Sequence, residues 1–118
     1  MGFFSTIEET RELHSNVKLR THYYKNSYQD VLAIVRTFER EFSLNLKHVD
    51  NNHGEIYLIG SGYDMIVTCI EVTPFETSVD IKVNFFGFIG MNRPAKTIEK
   101  IYQYLDSRLR FKGVSLHP

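Results

Sequence analysis

Cysteine occurs once in this chain, at Cys69, and proline three times, while positive and negative side chains cancel at 14 each. A lone cysteine excludes an internal disulfide, so the fold must be held by its own packing, and a reducing, cytoplasmic setting is expected. The zero balance of charge removes the general positive field on which nonspecific nucleic-acid binding relies, leaving only a local patch for that role. No apolar run approaches the ~20 residues of a membrane span, and no basic-then-apolar leader opens the sequence, so no membrane association is expected. Low-complexity tracts, linkers and internal repeats are missing too. A single domain over residues 1–118 is therefore expected, a length that buries about two-thirds of its unfolded surface.

Catalytic signatures are also scarce. Neither G-x-S-x-G nor H-E-x-x-H occurs, and no carboxylates pair at a useful spacing. His48 and His53 flank Asp50, but the composition of a turn accounts for them and no further ligand has a fixed spacing, so no metal or other cofactor is expected. Cys69 alternates with Met65 and Val67 along a strand-like stretch, which reads as a small buried apolar residue rather than a nucleophile. His22 falls on the polar side of an alternating segment and reads as solvated. Met1-Gly2 with Thr6 fits a myristoylation pattern, but Glu8, Glu9 and Glu12 oppose the basic second signal of stable anchoring, and the match reads as coincidence. Enzyme is the minority reading.

Periodicity is plentiful. Ser5 or Thr6 ahead of Glu8 and Glu9 predicts a short N-terminal helix within residues 1–15, with Phe3, Phe4, Ile7 and Leu13 on its packing side. "VKLRTHYY" (17–24) alternates as a half-buried strand. Tyr28, Val31, Leu32, Val35, Phe38 and Phe42 then recur at helical spacing behind the caps Asn26 and Ser27. "DNNHG", "GSG" and "TPFET" divide the next stretch into strands near 44–49, 55–60, 63–73 and 78–86, with connections too short for anything but antiparallel neighbours. A last helix over 93–112 buries Ile98, Ile101, Tyr102, Leu105 and Leu109 and ends at Gly113.

The expected fold is α+β: a curved antiparallel sheet of about five strands packed on two helices, in the order (α)-β-α-β-β-β-β-α. Over residues 17–112 that order is similar to the half-domain of the TATA-binding protein and to the helix-grip folds, in which a curved sheet wraps a long C-terminal helix. The resemblance is one of element order and carries over no functional residue.

"VNFFGFIGMNRP" (83–94) raises the functional question. Consecutive strand residues point to opposite faces, so Phe85, Phe86 and Phe88 cannot all enter one core layer, and with Tyr63 they are candidates for contact with a partner or ligand. Gly90, Arg93 and Lys96 are anion-binding candidates, because cations in a first helical turn oppose the helix dipole unless an anion joins them. The simpler account is that Gly87 and Gly90 permit the bend, Asn92 caps, Pro94 presets φ and the cations stay solvated. The leading functional expectation is a non-catalytic domain that binds a protein partner, or a second copy of itself. The alternatives are a pocket between sheet and final helix for an apolar or anionic small molecule, and nucleic acid read by the basic final helix.

Overall fold

The computed structural model describes residues 5–87 and 92–118, and is an α+β fold built on one antiparallel sheet of seven strands. In chain order these are β1 (Ser5–Glu9), β2 (His22–Tyr24), β3 (Asn45–Asp50), β4 (Glu55–Ile59), β5 (Tyr63–Thr73), β6 (Glu76–Phe86) and β7 (Phe111–Val114). The helices are α1 (Tyr28–Arg36), the single turn α2 (Phe38–Glu41) and α3 (Arg93–Arg108). Across the sheet the order is β3-β4-β5-β6-β2-β7, and β1 pairs with the stretch of β6 that β2 leaves free.

The β4-β5-β6 meander follows from its alternation. Val67 lies opposite Ile81 and Ile56, Met65 opposite Val83 and Leu58, so one pleat face collects the buried aliphatic side chains of the meander. Against that face α1 lays Val31, Leu32 and Val35, and α3 lays Ile98, Ile101, Tyr102 and Leu105. These side chains form one continuous core that fills the space between the sheet and α3. Ser27 starts α1 by accepting the amide of Asp30. Among the described residues no helix is long and apolar enough to cross a membrane.

Four expectations need correction. Residues 5–9 form a strand and not a helix: β6 offers them an unpaired edge from Lys82 to Phe86, and those backbone bonds outweigh the local capping pattern of Ser5, Thr6 and Glu8. The strand expected over 17–24 is shorter, because Asn16 accepts the amide of Lys18 and folds Val17–Leu19 into a 3-10 turn. The helix expected from Tyr28 to Phe42 breaks at Thr37, whose Oγ1 lies 2.5 Å from the Ile34 carbonyl and 2.6 Å from the Tyr104 hydroxyl. Finally, α3 ends at Arg108, and Phe111–Val114 pairs with β2 as a further strand. β1 and β7, neither expected, raise the sheet from five strands to seven.

Candidate functional site

The first half of α3, the α2–β3 connection and the ends of β5 and β6 meet in an open groove of about 670 Å³. Its floor comes from the ladder. Tyr63 and Phe85 are register partners, and their rings stack with centroids 4.7 Å apart at 7°. Gly60 lies close against the Tyr63 ring, since a Cβ there would stand 2.8 Å from the ring carbon Cε1. The Arg93 guanidinium sits over Phe85, 5.5 Å from the ring centre, a cation–π arrangement.

The cations come from the spacing along α3. Arg93, Lys96, Thr97 and Lys100 lie three and four residues apart and so share one helix face, all lining the groove. Asn92 holds a left-handed backbone (φ 66°) and makes no side-chain cap bond, and the first turn carries no acidic residue. Among the described residues none of Arg93, Lys96 and Lys100 forms an ion pair. Glu41, the one carboxylate of the lining, is met by Arg40 Nε at 3.1 Å, and Glu99 is drawn away to Lys18 at 3.4 Å. A chain without net charge thus gathers three uncompensated cations at one end. Burial raises the Tyr63 phenol above its ordinary value, while Arg93 pulls it the other way. Its hydroxyl makes no hydrogen bond among the described residues and borders the groove as a free polar group.

Phe42, which lines the groove, belongs to a cluster of edge-to-face aromatics behind it. Phe38, Phe42 and Tyr104 pack with centroids 5.2–5.9 Å apart and join the α1–α2 corner to α3. Arg108 caps this cluster, 4.9 Å above the Tyr104 ring.

Four of the residues singled out in the sequence, Tyr63, Phe85, Arg93 and Lys96, therefore come together here. Phe85 is only 3% exposed and serves as floor rather than contact surface. Phe86, 47% exposed, points to the other face of the sheet and takes no part. Phe88 and Gly90 lie outside the described residues. The reading missed Lys100, Thr97 and Ser43 as lining, although the i, i+4 and i, i+7 spacing from Lys96 and Arg93 already put Lys100 on the same face.

Elsewhere, Asp50 and His53 form a turn pair at 2.8 Å, and no group of three or more metal-ligating side chains occurs among the described residues. Cys69 is buried and its thiol is pushed up to about 12 by desolvation. His22 departs from expectation: it is 7% exposed, because β2 is covered by α3 on one face and by residues 10–16 on the other. Compared with known proteins, the chain matches no family model, no curated protein and no solved structure.

Proposed function

We propose that the groove is a non-catalytic binding site that takes an acidic segment of a partner protein. The observation that carries this reading is the convergence of Arg93, Lys96 and Lys100, without ion-pair partners among the described residues, above a rigid aromatic floor. Charged donors fixed along a helix suit a row of carboxylates, and pre-set side chains lose less entropy on binding. The groove is open and largely polar, which favours an extended segment over a small molecule that must be enclosed on most sides. The aromatic pair favours peptide over single-stranded nucleic acid: Phe85 is buried, with Tyr63 stacked on it and the Arg93 guanidinium over its ring, so it offers no ring face to a base.

Edge-to-edge pairing of two copies is disfavoured. β7 is four residues long and carries Lys112, and β3 carries Lys47 beside a register shift, both common protections of an open edge. The likeness to helix-grip folds remains part of the proposal, resting on the long α3 packed across β6. A cytoplasmic setting belongs to it as well, resting on the single, buried Cys69.

Fluorescence anisotropy with a labelled Glu-rich peptide tests the reading. Binding should weaken as salt rises to about 0.15 M, where the screening length falls to ~8 Å, and K96E/K100E should weaken it at least about tenfold, or 1.4 kcal/mol. A variant that binds as tightly as the parent, or a parent that prefers a single-stranded oligonucleotide of equal charge, overturns it.

A further inference from the structure

Two buried histidines, His14 and His22, are held by carboxylates, and the contrast between them is informative. His14 is fully committed: its Nδ1 accepts the Asn16 amide at 3.0 Å, so its Nε2 carries the proton and donates to Glu8 at 3.2 Å. His22 is only half committed. Its Nδ1 lies 3.0 Å from Asp106 Oδ1, and the same oxygen accepts the Tyr24 hydroxyl at 2.6 Å. A carboxylate that already accepts from Tyr24 can only accept again, so Nδ1 carries the proton and the neutral ring presents a bare lone pair at Nε2.

The ring cannot turn to hide that lone pair. It stacks on Tyr102 with centroids 3.6 Å apart at 6°, and Phe111 packs 5.1 Å away. Tyr102 is itself fixed, its hydroxyl donating to the Val79 carbonyl at 2.8 Å. Among the described residues Nε2 has no hydrogen-bond partner, nor is it among the side-chain atoms buried without one. It therefore opens on a pocket of about 250 Å³, lined by His22, Lys18, Glu99, Tyr102, Gln103 and Asp106. His14 keeps both ring nitrogens bonded within the fold. At His22 the carboxylate, the stacking and the pocket direct one nitrogen outward.

We infer that His22 is a nucleophilic acyl acceptor for small activated esters, with Asp106 as its positioning residue. This site is independent of the cationic groove. In the step, the Nε2 lone pair bonds to the acyl carbon and the ester C–O bond breaks, its electron pair leaving with the alcohol oxygen. The Asp106 carboxylate offsets the positive charge of the resulting acylimidazolium. Water then attacks the acyl carbon, the N–C bond breaks with its pair returning to Nε2, and the proton passes to solvent. Of the residues lining the pocket, Lys18, whose Nζ is shared with Glu99 at 3.4 Å, and Gln103 carry the donors that can serve the carbonyl oxygen. The titratable groups around the ring are Lys18 from the 3-10 turn, Tyr24 from β2, Asp80 from β6, and Glu99, Tyr102 and Asp106 from α3.

The probe is p-nitrophenyl acetate with the wild-type chain, quenched in acid and mapped by mass spectrometry. Acetyl should appear on His22 at least about tenfold faster than on His53, which is exposed in its turn and serves as an internal reference. H22Q should lose the fast release of p-nitrophenolate, and H53Q should keep it. D106N, whose amide can donate to Nδ1 and favour the other tautomer, should lower the rate and displace its pH profile, an effect that a purely structural Asp106 would not produce. Acetylation of His22 no faster than that of His53 in the wild type overturns the inference, whether or not H22Q folds. Fast release that survives in a folded H22Q does the same.

Discussion

Gly54 gives the sharpest test of the ladder that carries the groove. It closes the β3–β4 turn at φ +67°, and its carbonyl accepts the Cys69 amide at 2.8 Å. A Cβ at Gly54 would stand 2.0 Å from the Cys69 carbonyl oxygen, which is backbone and cannot swing aside. Gly54→Ala therefore meets two costs. Left-handed backbone at a residue bearing a Cβ costs about 1–2 kcal/mol. Relieving the clash means drawing β4 away from β5 and giving up at least the Cys69–Gly54 bond, a further ~0.5–1.5 kcal/mol. The sum is about 1.5–3.5 kcal/mol, or roughly 10 °C in melting temperature for a chain of this size. Gly62 is the control: it has φ +82°, but nothing lies within 4 Å of a Cβ there. Gly62→Ala should show only the backbone cost of about 1–2 kcal/mol. Urea denaturation followed by circular dichroism measures both. Equal losses for the two variants would refute the claim that β4 and β5 approach too closely for a side chain at position 54.

Two further outcomes follow from buried groups. Burial raises the Asp80 carboxyl, against the pull of the Thr10 and Thr21 hydroxyls, so the folded state holds its proton more tightly than the unfolded chain does. Its contribution to stability is fully present below the ordinary carboxylate pKa and is lost as pH rises through the higher folded-state value. Asp80→Asn, which keeps an oxygen for both hydroxyls, should gain on wild type across that window in urea melts at stepped pH, and a constant difference would contradict the assignment. Cys69, its thiol pushed up to about 12, should react with a disulfide reagent at mildly alkaline pH only at the rate of unfolding, so rapid labelling of the native protein would show that it is not buried as described.

The meander and the start of α3 were legible because their signals are local. Alternation from Glu55 to Phe86, the glycines of two turns and Pro74 of the third set the strands, and Pro94 marks the first turn of α3 where the helix in fact begins. What escaped depends on partners distant in sequence. β1 exists because β6 has an unpaired edge more than seventy residues away, and β7 because β2 has one. His22 read as solvated for the same reason: a two-residue period records the faces of one strand but not what covers them. Half of the groove could be assembled from spacing along α3. Its floor could not, since the stacking of Tyr63 on Phe85 is a matter of register across the β5–β6 hairpin.

The central claim is that the cationic end of α3 is a recognition surface. Amide chemical shifts of the ¹⁵N-labelled chain, followed while an unlabelled Glu-rich peptide is titrated in at low salt, test it most directly. The account predicts saturable shifts concentrated at Ser43, Tyr63, Arg93, Lys96, Thr97 and Lys100 and reversed by added salt. Shifts scattered over Lys18, Lys25, Lys47 and Lys112, with none centred on the groove, would contradict it.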